Sequence, residues 1–290
     1  METQTRESAV IYQAIRTLEG EGFEVRRALP TANVSAVGPF ILLDHIGPFS
    51  APPGQAKGTG FHPHAGMETI TYLLEGQNRH QDNLGNDEEV EAYEAQWMRA
   101  GGGIIHKEGP SAEMFRTGGS IHGVQLWLNM PEKTKHDAPV YQSVTRDEIP
   151  QITLAEGVAA RVLIGDFAGE TGPIETGGEP ILAHIASDGA QTITLPKFDR
   201  EAAVYIMSGG AVIKGKKDHP ISEGRWIHLP AAFPSLSLEL APNTDLIVFG
   251  GAPIDAPIVR HGPFVMSTEQ EMRDVITAYQ NGQGGFAPVM

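Results

Sequence analysis

The sequence predicts an all-β protein of two similar domains that ends in a helix. The 34 glycines and 21 prolines among 290 residues are spread along the whole chain, as expected for many short strands joined by tight turns. Three anchor residues recur in the same order in the two halves of the chain, which indicates an internal duplication. A segment with helical spacing of apolar residues follows the second copy.

Three segments carry the pattern of β-strands. Residues 69–74 and 124–129 alternate in part between apolar and polar side chains, as half-buried strands do. Residues 246–249 form a short apolar run, which is typical of a strand buried on both faces. We therefore expect strands in both halves of the chain.

The internal repeat depends on three anchors. In each copy a glutamate and a glycine are separated by seven residues and followed by a tryptophan: Glu68, Gly76 and Trp97 in the first, and Glu201, Gly209 and Trp226 in the second. The alignment places Leu195-Pro196-Lys197 opposite His62-Pro63-His64, and Ser235 and Ser237 opposite His106 and Glu108. The second copy therefore lacks the polar groups of the first.

The boundary between the copies is expected in residues 131–139, a polar stretch that is bounded by prolines and has no periodicity. This places one domain at residues 1–135 and the other at residues 136–290, with the helix at the end of the second domain. In that helix Thr268 and Glu271 have the spacing of a capping box. An apolar stripe follows and is expected to pack on a sheet: Met272, Val275, Ile276 and Tyr279.

Charge and composition exclude several function classes. Acidic residues outnumber basic residues by 36 to 21, so the net charge of −15 disfavours binding to nucleic acid or to anionic membranes. Cysteine is absent, and any metal must be held by nitrogen and oxygen atoms. The sequence contains neither a phosphate-binding loop nor a serine-esterase motif. Residues 1–7 have no leader pattern, and a cytoplasmic location is expected.

Two short motifs could hold a metal ion. His62 and His64 are two residues apart, so on a strand both imidazoles point to one face. His106 and Glu108 repeat this spacing after the loop 101–103, which consists of three glycines. If the two strands lie side by side, three nitrogens and one carboxylate reach one point. That donor set accepts iron, manganese, nickel, copper or zinc.

Other interpretations of these residues stay open. A single His-x-His is more often a pair of surface or core histidines than a metal site. Glu68 follows His64 by four residues and would share its face on a regular strand, so it could replace Glu108 as a ligand. Since Glu201 remains in the copy without histidines, a structural or supporting role for Glu68 is favoured.

The remaining histidines are given smaller roles. His45 and His122 could orient a metal ligand but are expected to be structural. Four further histidines are expected to face solvent or to be structural: His80, His136, His219 and His261. The acidic run 87–89 is interpreted as a solvated loop, because it lacks the spaced oxygen ligands of a calcium loop.

The segments around these motifs resemble the pirins, a family of the cupin superfamily. Residues 60–76 are similar to the pirin form of the first cupin motif, and residues 96–108 to the second. Further similarity lies in residues 38–44, 125–129 and 261–266. Because these segments cover most of the chain, the sequence is identified as a member of the pirin family.

The resemblance implies a bicupin, in which two antiparallel β-barrels of the jelly-roll type are stacked and the first alone holds a metal. The implied ligands are His62, His64, His106 and Glu108, and the implied metal is Fe(II), with manganese, nickel, copper and zinc as alternatives. In many other cupins a glutamate at the position of Glu68 binds the metal, which is not the pirin pattern.

Two functions follow from the resemblance. Some pirins resemble quercetin 2,3-dioxygenases, which open the central ring of a flavonol with O2 and release carbon monoxide. For that reaction we expect a flavonol-like substrate, two coordination positions left open by the four ligands, and Glu108 or Glu68 as proton acceptor. Other pirins are metal- or redox-responsive regulators that bind partner proteins, either in transcription or as modulators of a metabolic enzyme.

Overall fold

The computed structural model describes residues 9–287, and most of these residues lie in β-strands. The expectation for residues 1–7 falls outside this range. Between residues 9 and 287 no helix has the length and apolarity needed to cross a bilayer.

The strands are short, as the glycine and proline content predicts. In the first half of the chain they are β1 (Val10–Gln13), β2 (Ile15–Glu19), β3 (Phe23–Leu29), β4 (Phe40–Ala51), β5 (His62–His64), β6 (Met67–Glu75), β7 (Asn78–Asp82), β8 (Asp87–Val90), β9 (Ala95–Arg99), β10 (Ile104–Gly109), β11 (Gly119–Asn129) and β12 (Val140–Val144). In the second half they are β13 (Gln151–Ala155), β14 (Val158–Ile164), β15 (Asp166–Phe167), β16 (Glu170–Thr171), β17 (Pro180–Ser187), β18 (Gln191–Leu195), β19 (Glu201–Ser208), β20 (Gly210–Ile213), β21 (His219–Ser222), β22 (Arg225–Leu229), β23 (Leu236–Leu240), β24 (Thr244–Gly251), β25 (Val259–His261) and β26 (Phe264–Met266). The helices are α1 (Ala112–Thr117) and α2 (Glu269–Gln280), and short 3-10 turns lie at Glu132–Thr134 and Gly284–Phe286.

The described residues form two compact units. The amino-terminal barrel comprises Arg16–Arg27, Ile41–Arg146 and the described residues from Ile254 onward. The carboxy-terminal barrel comprises Asp147–Pro253, Ala28–Phe40 and the described residues up to Ile15.

These units differ from the predicted ranges 1–135 and 136–290. The chain passes between them at residues 146 and 147, and each barrel takes in a segment from the opposite end of the chain. The predicted linker 131–139 therefore lies inside the amino-terminal barrel, and α2 belongs to that barrel rather than to the carboxy-terminal one. Strand pairing over long sequence separations causes both differences.

The strand order confirms the duplication. Each barrel has a seven-stranded antiparallel sheet, in the order β12-β9-β6-β11-β4-β3-β2 in one and β1-β22-β19-β24-β17-β14-β13 in the other. Each also has a four-stranded sheet, in the order β5-β10-β7-β8 or β18-β23-β20-β21. Glu68 and Glu201 both lie on the third strand of the large sheets, and Trp97 and Trp226 on the second. Each of the two barrels therefore has the cupin fold.

The register corrects one detail of the repeat. In the amino-terminal barrel His62 lies opposite His106, and in the carboxy-terminal barrel Leu195 lies opposite Leu236. The counterparts of His106 and Glu108 are therefore Leu236 and Leu238, one residue beyond the predicted Ser235 and Ser237, because the loops between the anchors differ in length. These leucines are buried in a continuous apolar core, so the second barrel fills the corresponding space with hydrocarbon.

The predicted capping box at the start of α2 is present. The hydroxyl of Thr268 accepts a hydrogen bond from the backbone N–H of Glu271, and the Glu271 carboxylate accepts one from the backbone N–H of Thr268. The apolar stripe of α2 packs on the hairpin β25–β26, where Met272 and Val275 contact a cluster that includes Phe264. The stripe therefore packs on a sheet, as expected, and this sheet is the two-stranded hairpin β25–β26.

A buried lysine anchors the segment that was predicted to be a linker. Lys135 is fully buried, and its Nζ donates to the carbonyl of Gly66, to Oδ1 of Asn129 and to the carbonyl of Val265. Burial lowers the pKa of Lys135 to about 8. Three distant parts of the chain meet at this one amine, which explains why the segment belongs to the amino-terminal barrel.

His45 and His122 form a buried pair with a structural role. Their Nε2 atoms are 2.8 Å apart, so one ring donates a hydrogen bond to the other across β4 and β11. Burial, together with the nearby His122 ring, lowers the pKa of His45 to about 2. His45 is therefore neutral in the folded protein at any physiological pH.

This pair makes the stability of the protein sensitive to acid. The pKa of His45 is lower in the folded than in the unfolded chain, so its contribution is complete above about pH 6.5 and is lost as the pH falls below that value. Between pH 7.5 and 5.0, wild type should lose up to about 2 kcal/mol of unfolding free energy more than His45→Gln, at about 1.4 kcal/mol per pH unit. Urea denaturation at both pH values measures this difference.

The exposed His219→Gln variant serves as the control and should lose as much stability as wild type on acidification. An equal loss in wild type and His45→Gln would contradict the assignment of acid sensitivity to this pair.

Candidate metal centre

Three histidines meet where β5 pairs with β10. In this antiparallel ladder His106 lies opposite His62, and His64 lies opposite Ile104. The ring centroids of His62 and His106 are 4.4 Å apart, and those of His64 and His106 are 5.0 Å apart. One ring nitrogen of each histidine lies within 4.8 Å of the other two. The structure thus brings together the three histidines that strand alternation singled out.

Each of these rings uses its Nδ1 atom in a hydrogen bond. His62 donates to the carbonyl of Gly60 at 2.8 Å, and His64 donates to the carbonyl of Pro263 at 3.1 Å. Nδ1 of His106 lies 3.4 Å from Nδ1 of another histidine, His80. With Nδ1 occupied, the Nε2 atom of each ring is left for a further partner.

Nε2 of His106 is buried and has no hydrogen-bond partner among residues 9–287. An unsatisfied buried polar atom costs about 1–3 kcal/mol, and a metal ion bound there would remove that cost. Neighbouring imidazole nitrogens that point to one place are a donor set that divalent transition metals accept. The residues therefore fit a metal ion.

The electrostatics of the cluster favour neutral imidazoles, the form that binds metals. Burial, and secondarily the neighbouring His62, lowers the pKa of His64 to about 3. Burial and the adjacent His64 and His62 rings also hold the pKa of His106 well below its usual value. Proton competition for these nitrogens is therefore weak at neutral pH.

Glu108 lies near the histidines but outside their tight group. It is two residues from His106 on β10, and its side chain lines the same cavity as His62 and His64. Its Oε1 accepts a hydrogen bond from Thr71 at 2.8 Å, and its Oε2 accepts one from Gln125 at 2.7 Å. These two donors orient the carboxylate at the wall of the cavity.

Glu68 does not share a face with His64, which corrects the sequence-based expectation. Gly66 has a φ of +72° and its Cα faces the carbonyl of Val265, so the chain makes a left-handed turn that only glycine fits. This turn separates β5 from β6, which belong to different sheets. Glu68 is buried on β6, accepts a hydrogen bond from Trp97 Nε1 at 3.0 Å, and lies outside the histidine group.

The structure adds His80 and Asp82, which sequence reasoning missed. His80, expected to face solvent or to be structural, is buried on β7, and its Nε2 lies 3.1 Å from Oδ2 of Asp82. In the β7–β10 ladder Asp82 lies opposite His106 and His80 lies opposite Glu108. A signal was present, because Asn78, His80 and Asp82 are spaced by two residues, which puts three polar groups on one face of a strand.

The other predicted surface groups lie at the surface. His136 is exposed and lies 3.2 Å from a Glu271 oxygen, and His219 and His261 are exposed. The acidic run 87–89 is exposed as expected, but it forms the strand β8 rather than a loop. There Asp87 accepts two hydrogen bonds from Arg79 of the paired strand β7.

A cavity of about 570 Å³ opens beside the histidine cluster, within the amino-terminal barrel. His62, His64 and Glu108 are among its polar lining residues. Apolar side chains cover much of the rest, among them Phe23, Val25, Leu42, Phe49, Ile121 and Trp127. Its size and lining are those of a small-molecule site.

Comparison with known proteins places this chain in a family. The family model described as pirin matches residues 22–128, and the model described as the pirin C-terminal cupin domain matches residues 177–285. The chain belongs to the pirin family. A pirin from Mus musculus is 32% identical over 92% of this chain and 90% of its own length.

Other relatives carry an enzymatic name. A protein of Pseudomonas aeruginosa is 33% identical over 91% of this chain and 93% of its own length. Its name describes it as a predicted quercetin 2,3-dioxygenase. A crystal structure of quercetin 2,3-dioxygenase from Acinetobacter baumannii is 30% identical to this chain and superposes on it with a TM-score of 0.88. The alignment covers 97% of this chain and 98% of the other. The similarity to proteins of both names extends over more than nine-tenths of this pirin.

A metal-bound pirin structure is also similar in fold. The bacterial pirin from Escherichia coli in complex with nickel(II) is 21% identical and has a TM-score of 0.64, with 84% of this chain and 100% of the other covered. Family membership and the histidine cluster together indicate a bound metal, of unassigned identity, in this pirin.

Proposed function

We propose that this pirin is a metal-dependent dioxygenase that opens the central ring of flavonols such as quercetin with O2. The observation that carries the proposal is a group of three imidazoles, two of which line a cavity of about 570 Å³ that has apolar as well as polar walls. The names of the Pseudomonas and Acinetobacter relatives support the enzymatic over the regulatory hypothesis.

The proposed ligands are His62, His64, His106 and Glu108. One ring nitrogen of each histidine lies within 4.8 Å of the other two, and Glu108 lines the same cavity as His62 and His64. A redox-active metal held there, with Fe(II) as our first choice and manganese, nickel or copper as alternatives, would supply Lewis acidity toward a flavonol oxygen and electron transfer with O2. Zinc fits the ligands but supplies the Lewis acidity only.

The chain's own residues bind and orient the substrate. The flat flavonol rings would lie among apolar side chains that include Phe49, Ile121 and Trp127. These side chains would exclude water from the proposed ligands. Glu108 would accept the proton of the flavonol hydroxyl, while Gln125 and Thr71 hold its carboxylate in place. Glu68 is unsuited to this step because it lies on β6, which the turn at Gly66 separates from the histidines of β5.

The proposed reaction consumes one O2 for each flavonol. Two carbon–carbon bonds of the central ring break, and the products are a ring-opened ester and carbon monoxide. Both oxygen atoms of O2 remain in the ester, and the proton held by Glu108 returns to that product. No further reductant is required.

Arg260 supplies a positive charge to the cavity. It lies over the ring of Trp127, with the guanidinium carbon 4.9 Å from the centroid, and it has no ion pair among residues 9–287. Its neighbour Arg27, by contrast, is bound by Asp44 through two hydrogen bonds of 2.8 and 2.6 Å and also by Glu19. Arg260 is therefore a cation that remains available to an ionised phenol.

Loss of any proposed histidine ligand should abolish tight metal binding. Removal of a residue that only hydrogen-bonds a metal ligand typically weakens metal binding by about 10- to 100-fold. The variants His62→Ala, His64→Ala and His106→Ala should each weaken metal binding by more than that, because each removes a ligand. Elemental analysis of protein purified without added metal, with His219→Ala as the control, measures this. Wild-type metal content in all three variants would refute the proposed centre.

Anaerobic addition of quercetin to the Fe(II)-loaded protein should shift the flavonol absorption band, and admission of O2 should then bleach it with release of carbon monoxide. Glu108→Gln should lower the bleaching rate by about 100-fold or more because the proton acceptor is lost. Glu68→Gln is the matched control, since that glutamate lies outside the histidine group, and it should react as wild type. Metal content is measured in parallel. Absence of the spectral shift in loaded wild type would rule out this substrate class.

Replacement of Arg260 should weaken flavonol binding without loss of metal. For Arg260→Met we expect about a 10-fold increase in the Kd of the ionised flavonol, measured anaerobically by calorimetry. Lys57→Met is the matched control, because Lys57 also lines the cavity but its Nζ binds the carbonyl of Gly22. Equal affinities in the two variants would contradict the assignment of Arg260.

A further inference from the structure

A line of three buried side chains runs away from the metal centre on the side opposite the free nitrogen of His106. Nδ1 of His106 lies 3.4 Å from Nδ1 of His80, and Nε2 of His80 lies 3.1 Å from Oδ2 of Asp82. The relative exposure of His106 and His80 is 1% each, and that of Asp82 is 9%. Neither His80 nor Asp82 lines the cavity, so neither can touch a substrate there.

With a neutral His80, the protons in this line have one consistent arrangement. The Asp82 carboxylate can only accept, so Nε2 of His80 carries a proton and donates it. Nδ1 of a neutral His80 is then an acceptor, and it receives the proton of His106 Nδ1. This arrangement leaves the lone pair of His106 on Nε2, the atom that is buried without a partner.

Asp82 and His80 are themselves held in place. The carboxylate of Asp82 accepts hydrogen bonds from the backbone N–H groups of Leu84 and Asn86 and from the Asn86 side chain. The His80 ring is stacked on Tyr141, with centroids 4.1 Å apart and an angle of 15° between the planes. The line is therefore fixed before any ligand binds.

His106 differs in this respect from the other two histidines of the cluster. His62 and His64 donate their Nδ1 protons to neutral backbone carbonyls, whereas the partner of His106 has a carboxylate behind it. In the barrel without the cluster, the register places Ile213 at the position of His80. The buried polar line thus occurs in the barrel that has the histidines to orient.

We propose that His80 and Asp82 are positioning residues of the metal centre, which hold His106 in the Nδ1–H tautomer and direct its Nε2 lone pair at the metal. This inference rests on the proposed metal centre. Such partners of metal-bound histidines orient the ring and increase its basicity, and their loss typically costs about 10- to 100-fold in metal affinity.

The test is a titration of metal-free protein with Co²⁺, whose visible absorption reports both affinity and coordination geometry. His80→Leu, which removes the acceptor, should weaken Co²⁺ binding by about 10- to 100-fold and alter the absorption spectrum. His80→Gln should restore most of the affinity, because its side-chain oxygen can accept from His106 while its nitrogen donates to Asp82. Asp82→Asn should have an intermediate effect, since it keeps an acceptor oxygen without the negative charge.

His122→Leu is the matched control. It removes one ring of the buried His45–His122 hydrogen bond in the same barrel and should leave Co²⁺ affinity unchanged. Equal affinities for His80→Leu and His122→Leu would overturn the positioning role. A loss of binding in His106→Leu together with wild-type binding in His80→Leu would reject this inference alone, whereas wild-type binding in both would reject the metal centre.

A second measurement does not depend on the folding of a variant. Nitrogen-15 NMR of the imidazole rings in metal-free wild type should identify His106 as the Nδ1–H tautomer and His80 as the Nε2–H tautomer. The opposite tautomer of His106 would overturn the proposal.

Discussion

The antiparallel pairing of β5 with β10 is the constraint on which the candidate site depends. It sets His62 opposite His106 and carries His64 along the same strand face, so three imidazoles converge from two short strands. The second edge of β10 pairs with β7, which puts Asp82 opposite His106 and His80 opposite Glu108. One strand therefore aligns the cluster on one side and its buried support on the other.

The carboxy-terminal segment completes this arrangement from far along the chain. The turn of the hairpin β25–β26 supplies the Pro263 carbonyl that binds His64, and β25 supplies Arg260 at the cavity. α2 packs on the same hairpin, and the Lys135 amine binds Val265 within it. Since the segment contributes to both the core and the site of the amino-terminal barrel, its folding and the site's geometry are coupled.

The two barrels use one strand order for two kinds of interior. Where the amino-terminal barrel has His62, His106 and Glu108, the other has three buried leucines: Leu195, Leu236 and Leu238. Buried polar groups are costly unless each one has a partner, whereas leucines only need to be packed. The amino-terminal barrel supplies partners for the Nδ1 atoms of its three histidines through Gly60, Pro263 and His80, whereas Nε2 of His106 has no partner among residues 9–287.

The local patterns of the sequence were sufficient for much of this protein. The two-residue spacing of His62 and His64, the repeated anchors and the capping box of α2 each depend on neighbours in the chain, and each recurs in the structure. Only the tertiary structure decided the face of Glu68, the one-residue shift to Leu236, the barrel that receives α2 and the burial of His80. Those features depend on strand register, on the turn at Gly66 and on pairing across more than a hundred residues. Side-chain periodicity within one strand indicates at most that His80 shares a face with Asn78 and Asp82, and it carries no information on the other three features.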